Sequence, residues 1–289
     1  MIVDKLYRAV EEKGHVCVGL DTDYSYLPSA FASRFETKGE AIFEFNKEII
    51  DRTHDKAACF KVQVAYYEAL GLEGLKAYSD TLKYIKEKGS ISICDIKRGD
   101  IMKTAEMYAK AHFTGDFEGD FITLNAYMGV NDSLEPFLDY IKNQDKGIFV
   151  LVRTSNQGAR DFQYIKNEEG KYLYSSVGEK LQELSQDYLG ECGFSSIGGV
   201  VGCTNNEEGI KLREEIKSMF LLIPGYGAQG GGAKDVVPYL INGNGGVVNS
   251  SRGIITAYKK DGSDPMDFAK AAERATVKMR DEIREELKK

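Results

Sequence analysis

Asp95, Lys97 and Asp100 sit together in Asp95-Ile96-Lys97-Arg98-Gly99-Asp100, directly after the apolar run Ser92-Ile93-Cys94. A buried strand that emerges into Asp-x-Lys-x-x-Asp brings two carboxylates near one ammonium. In a cleft, such a set would keep the lysine charged and hold a fixed anion beside a bound substrate. On an open surface the same residues would form a salt-bridged turn, and most charged turns are of that solvated kind. The elements around the motif decide between the two.

Short apolar runs recur along the chain: 15–21, 58–64, 90–96, 121–125, 147–153, 197–202, 220–224 and 246–250. Helical periodicity fills the gaps between them. Residues 40–52 place Ile42, Phe45, Ile49 and Ile50 on one face, and 70–88 are expected to bury a stripe of Leu72, Leu75, Leu82 and Ile85. Eight such alternations are the period of parallel β-α units. In 289 residues they suit one α/β fold, the TIM (β/α)8 barrel of about 250 residues. A doubly wound sheet would have fewer strands and a G-x-G-x-x-G turn in its first unit, which is missing. With no Pro/Ser-rich linker, residues 1–289 read as one barrel domain with a short N-terminal helix and an insertion near 156–175. That insertion, rich in Lys, Glu and Tyr, reads as a solvated excursion.

In a barrel, polar residues at the C-terminal ends of strands face a common pocket. Asp21, Lys61, Asp95, Lys97, Asn125, Arg153 and Asn249 all lie at or just past those ends. Charges recurring at one end of many strands are hard to explain as unrelated turns. The last two units add glycine-rich stretches, Pro224-Gly225-Tyr226-Gly227-Ala228-Gln229-Gly230-Gly231-Gly232 and Asn249-Ser250-Ser251-Arg252-Gly253. Loops after strands 7 and 8 are where many barrels bind phosphate, with backbone N–H groups and an arginine fork as donors.

Composition narrows the function classes. A net charge of −7 with no Lys/Arg-rich block argues against nucleic acid or anionic membrane as partner. The start of the chain shows no signal-peptide pattern and no run approaches a membrane span, so a cytoplasmic protein is expected. Cys17, Cys59, Cys94, Cys192 and Cys203 lack C-x-x-C spacing and read mostly as reduced core residues. His15, His54 and His112 form no ligand cluster, so no metal site is expected.

Taken in order, Gly19-Leu20-Asp21, Phe60-Lys61, Asp95 to Ile101, Arg153-Thr154-Ser155-Asn156, Pro224 to Gly231 and Asn249 to Gly253 resemble the orotidine 5′-phosphate decarboxylase family, in its longer bacterial branch. Asp-x-Lys-x-x-Asp alone is shared with sister phosphate-binding barrels, whereas the full set is specific. The resemblance implies a cofactor-free carboxy-lyase that converts orotidine 5′-phosphate to uridine 5′-phosphate. It implies that Lys61, Asp95, Lys97 and Asp100 form the family's Lys-Asp-Lys-Asp array. Asp95 would face the substrate carboxylate and Lys97 would protonate C6. Asp21 would bind ribose, Lys61 would bridge array and ribose, and Ser155 would contact the pyrimidine. Gln229 would close over phosphate and base, Arg252 would grip the phosphate, and Asn125 would touch ribose or ring. Asp100 and Thr104 would enter the neighbouring subunit's site in a homodimer. Gln157 departs from the family's Thr-Ser-Asn-Pro-Gly, where a proline is expected.

The chemistry fits that set. Loss of carbon dioxide from C6 leaves a carbanion with no π system to accept the lone pair. With no cofactor motif to act as electron sink, stabilisation has to come from a fixed cation. A sister barrel that decarboxylates a sugar-acid phosphate with magnesium would need an acidic ligand on strand 2, where this chain carries Lys61. A barrel that only senses a phosphorylated nucleotide would not need opposed carboxylates beside a substrate anion.

Overall fold

A computed structural model describes residues 1–203, 206–227 and 230–289. Among them, eight parallel strands close into a barrel in sequence order. They are β1 (Val16–Gly19), β2 (Cys59–Gln63), β3 (Ile91–Arg98), β4 (Phe121–Leu124), β5 (Gly147–Arg153), β6 (Ser195–Val201), β7 (Met219–Pro224) and β8 (Gly246–Ser250). The β1–β8 pairing, Cys17 opposite Asn249, closes the ring. This is the expected TIM barrel. Gln229 lies outside the described residues.

Strand side chains alternate between faces, so every second residue points into the barrel. That period divides the interior into layers. The lower layer holds Cys17, Cys59, Ile93, Phe121, Phe149 and Val247, packed with Phe220 and Leu222. The helix Ile2–Lys13 plugs this end with Ile2, Val3, Leu6 and Val10. Two residues further along the same strands come Lys61, Asp95, Thr123, Leu151 and Asn249, which all line one cavity. β2, β3, β4 and β8 therefore change from apolar to polar on their inner faces within one side-chain step, whereas β5, β6 and β7 keep Leu151, Val200 and Leu222 at the cavity. The second, larger core packs the outer strand faces against the helices.

The helix read over 70–88 is Gly71–Glu87, and its buried stripe differs from the expected one. Gly74, Ala77, Tyr78, Thr81, Leu82 and Ile85 are buried, whereas Leu72 is 86% exposed. Two residues rotate a helix by about 200°, so Leu72 lies opposite Gly74, which abuts the Tyr67 carbonyl. Among the described residues no helix is long and apolar enough to cross a membrane.

His112, on the helix Met102–Phe113, is buried and its Nδ1 has no partner among the described residues. Burial, helped by the Arg98 charge, lowers its pKa to about 4. Below pH 6.5 the unfolded chain takes up a proton that the folded chain refuses until about pH 4. Stability therefore falls as the pH drops through that window, by about 3 kcal/mol for this residue. Denaturant titrations at pH 7 and pH 4.5 should show a smaller acid loss for His112→Leu than for the native chain. An equal loss would exclude this histidine as a source of acid sensitivity.

Candidate active site

Asp95 is the centre of the polar layer. Its Oδ1 accepts from Lys97 Nζ at 2.6 Å and from the Thr123 hydroxyl at 2.8 Å. Its Oδ2 accepts from Lys61 Nζ at 2.9 Å and from Gln63 Nε2 at 3.0 Å. A carboxylate offers about four lone-pair sites, and all are used here. Burial alone would raise the Asp95 carboxyl pKa. The charges of Lys61 and Lys97 outweigh that and hold it well below the usual carboxylate range. Lys61 behaves conversely: burial opposes its charge, but Asp21 and Asp95 push its pKa above the usual lysine range.

The network continues across the barrel seam. Lys61 Nζ donates to Asp21 Oδ1 at 2.8 Å, and the Ser251 hydroxyl donates to Asp21 Oδ2 at 2.8 Å. Gly19 makes this approach possible, because a Cβ there would lie 1.9 Å from Ser251 Oγ. Carboxylate and ammonium thus alternate in the order Asp21, Lys61, Asp95, Lys97.

Lys97 is held in an unusual way. Its φ is 45°, a region rarely used by non-glycine residues. The β3–β4 register shifts between Cys94 and Arg98. The Lys97 N–H donates to Thr123 Oγ1 at 2.9 Å, and the same hydroxyl donates to Asp95. Thr123 therefore fixes both the strained backbone and the carboxylate that the lysine reaches.

Two connected cavities open above this row. The inner one, about 270 Å³, is lined by Lys61, Asp95, Lys97 and Thr123, by Thr154, Ser155 and Asn156 from the β5 loop, and by Leu151, Val200 and Leu222. The outer one, about 460 Å³, shares Lys61, Asp95, Lys97 and Asn249 and extends to Gly225, Ser251, Arg252, Tyr26 and Tyr66. Arg252 is exposed there as the first residue of the helix Arg252–Ile255. The site thus has an apolar, amide- and hydroxyl-bearing end, a charged floor, and a cationic end bounded by glycine-rich loops.

Four expected residues lie apart from these two cavities. Among the described residues Asp100 binds no lysine; its Oδ1 accepts from the Ile101 N–H at 2.9 Å. The Asp-x-Lys-x-x-Asp motif therefore does not put two carboxylates on Lys97 within one chain. Asp100 and the exposed Thr104 line neither cavity. The Asn125 side chain accepts from Tyr127 N–H at 3.0 Å and borders a separate cleft. Arg153 does not face the pocket. A register shift between Leu151 and Arg153 turns it outward, where it donates to the Gly202 carbonyl at 2.8 Å and approaches Glu208 at 3.5 Å. Gln63, Thr123 and Ser251 join the network although they were not singled out from sequence. Their signal was positional: Gln63 and Thr123 lie two residues beyond the inward-facing Lys61 and Phe121. Among the described residues no group of three or more His, Cys, Asp or Glu is placed to hold a metal ion.

A charged floor at the C-terminal end of a TIM barrel, beside loops suited to phosphate, defines an enzyme of the phosphate-binding barrel class. Residues 14–263 match the family model described as orotidine 5′-phosphate decarboxylase / HUMPS family. The chain is similar to an orotidine 5′-phosphate decarboxylase of Clostridium tetani (strain Massachusetts / E88), 60% identical over 98% of both chains. It is 59% identical to one from Clostridium perfringens (strain SM101 / Type A), over the full length of both. The solved structure of Leishmania donovani OMP decarboxylase superposes with a TM-score of 0.74 at 30% identity, covering 96% of this chain and 98% of that one. The chain belongs to the orotidine 5′-phosphate decarboxylase family.

Gly19→Ala should force Ser251 off Asp21. A crystal structure of the variant should show that 2.8 Å contact broken, and denaturation should show a loss of about 1–3 kcal/mol from overpacking. An intact Asp21–Ser251 contact would mean that the glycine is not what admits the serine.

Proposed function

We propose that Lys97 is the proton donor of a cofactor-free decarboxylation and that the Asp21–Lys61–Asp95–Lys97 row pre-organises it. The reaction is that of the family: orotidine 5′-phosphate loses carbon dioxide to give uridine 5′-phosphate in pyrimidine biosynthesis, which makes the chain a carboxy-lyase. The observation that carries the mechanistic reading is the fully bonded Asp95, an anion that keeps two ammonium groups at the floor of a pocket with a phosphate-like end.

The steps follow from charge. Arg252 and the backbone beside Gly225 take the phosphate; the family role of Gln229, which lies outside the described residues, is contact with phosphate and base. Lys61, Asp21 and Ser251 meet the ribose hydroxyls, and Ser155 and Asn156 meet the pyrimidine. The C6 carboxylate then lies beside Asp95. The C6–carboxylate bond breaks, its electron pair stays on C6, and carbon dioxide leaves. Lys97 Nζ gives a proton to C6 and is reprotonated from solvent. Because the Lys97–Asp95 geometry exists before reaction, the cation need not be organised as charge develops. Asp95 beside the leaving carboxylate adds ground-state repulsion that the departing carbon dioxide relieves. The phosphate is remote from the broken bond, so its binding energy serves loop closure and positioning.

Asp100 and Thr104 complete the site of a second copy in a homodimer. The surface around them supports this: Ile101, Met102, Met107, Tyr127 and Met128 are exposed, Met102 at 70% and Tyr127 at 81%. Such a cluster next to the site marks a contact face. We place the enzyme in the cytoplasm, with no nucleic-acid or membrane partner.

Loss of the orotate chromophore, followed by ultraviolet absorbance, tests the reading. Lys97→Ala should lower turnover by more than about 10⁴-fold while uridine 5′-phosphate binding stays within a few fold; retained turnover would remove Lys97 as donor. Asp100→Asn chains mixed with Lys97→Ala chains should regain activity, because each heterodimer holds one site with a native Lys97 and a partner Asp100. Heterodimers that form yet stay inactive would rule out the shared site.

A further inference from the structure

The insertion near 156–175 is not simply a solvated excursion. Ala159 and Tyr174 are buried, and Tyr164, Tyr172 and Tyr174 cluster with ring centroids 5.3–5.5 Å apart, Tyr172 stacked on Tyr174 and Tyr164 meeting both at an angle. Tyr164 donates to Glu208 Oε2 at 2.7 Å, tying the insertion to the helix Asn206–Glu215. Gln163 lies within this anchored segment. Its N–H donates to the Ala159 carbonyl at 2.8 Å, and its carbonyl accepts from Tyr174 N–H at 3.1 Å.

The Gln163 side chain reaches back to the pocket wall. Thr154 N–H can only donate, and it meets Gln163 Oε1 at 2.9 Å. The other end of the amide is therefore Nε2, which donates to Thr154 Oγ1 at 2.8 Å. The threonine proton is then directed to Asn156 Oδ1 at 2.7 Å. One amide thus sets a directional chain through Thr154 to Asn156. From the other side Gly202 abuts Ser155, where a Cβ would lie 2.8 Å from the serine Cβ. The clamped residues Thr154, Ser155 and Asn156 line the same inner cavity as Asp95 and Lys97.

We propose that Gln163 is a positioning residue for the base end of the substrate: acting through Thr154, it sets Ser155 and Asn156 against the pyrimidine. This rests on the reading that the inner cavity takes the pyrimidine of orotidine 5′-phosphate. Gln163 touches no reacting atom. Its effect appears only in ligands that carry the base.

The test uses the full chain with Gln163→Leu, Thr154→Val and the double variant, assayed by decarboxylation of orotidine 5′-phosphate and by inhibition with uridine 5′-phosphate and ribose 5-phosphate. Gln163→Leu should lower kcat/KM by about 10- to 100-fold. It should weaken inhibition by uridine 5′-phosphate about 10-fold and leave ribose 5-phosphate unchanged. Adding Thr154→Val should cost little more, because the chain is already broken. Equal weakening of both inhibitors, multiplicative effects of the two substitutions, or unchanged kcat/KM would each overturn the proposal. If Gln163→Leu does not fold, Gln163→Glu carries the same test: it keeps the acceptor for Thr154 N–H but loses the donor to Thr154 Oγ1. A native chain that does not turn over orotidine 5′-phosphate would overturn the function instead, leaving the two failures distinguishable.

Discussion

Everything in this site depends on a carboxylate with no lone pair to spare. Asp95 is buried, and a buried charge is tolerated only when paired and hydrogen-bonded. Its four donors come from three neighbouring strands: Lys61 and Gln63 from β2, Lys97 from β3 and Thr123 from β4. The network therefore demands one register, Gln63 opposite Asp95 and Lys61 opposite Ile93 in the β2–β3 ladder. A one-residue slip of either strand would turn its own charge, Lys61 or Asp95, out of the barrel interior. Fold and site are thus set by the same pairing, and charge satisfaction adds specificity to a barrel that hydrophobic burial stabilises.

The division of the interior into layers explains how one chain does both. The apolar lower layer, closed by the helix Ile2–Lys13, excludes water and supplies hydrophobic stabilisation. One side-chain step above it, the interior becomes polar, with Lys61, Asp95, Thr123 and Asn249. The apolar floor raises the strength of the ionic row above it, because charges interact more strongly where water is excluded. A glycine at 19 lets β8 and β1 approach so that Ser251 can hold Asp21. Two hydroxyl groups thereby hold the carboxylates of the row, Ser251 on Asp21 and Thr123 on Asp95.

Much of this was legible in the sequence, for identifiable reasons. Alternating apolar runs and helices define the barrel. Charged residues at strand ends, Asp21, Lys61, Asp95 and Lys97, stand out because charge is rare beside apolar runs. Gln63 and Thr123 did not stand out, since neutral polar residues are common at such positions and only the two-residue period marks them as inward. Arg153 and Asn125 were misplaced for a different reason. Strand ends were assumed to continue the alternation, but β5 shifts register before Arg153 and the chain turns at Asn125 to cap Tyr127. Type and spacing place Leu72 in the buried stripe with Leu82 and Ile85, but at its level the helix packs through Gly74 instead.

The opening motif proves to be two structures joined by a strained turn. Positive φ values at Lys97 and Met102 bracket Asp100 and change the direction of the chain between strand and helix. Such residues cost about 1–3 kcal/mol each and persist only where their surroundings hold them. For Lys97 the holding contact is the Thr123 hydroxyl, which also bonds Asp95. The strain is therefore maintained by the same group that fixes the anion, so the ammonium meets Asp95 at 2.6 Å without relying on side-chain flexibility alone. Beyond the turn, Asp100 caps Ile101 N–H and stands apart from the pocket, beside exposed Met102 and Tyr127. Sequence proximity suggested three charges in one cluster. Backbone geometry instead sends Asp95 and Lys97 inward and leaves Asp100 outside the pocket, so the motif's charges are divided by the strained turn between them.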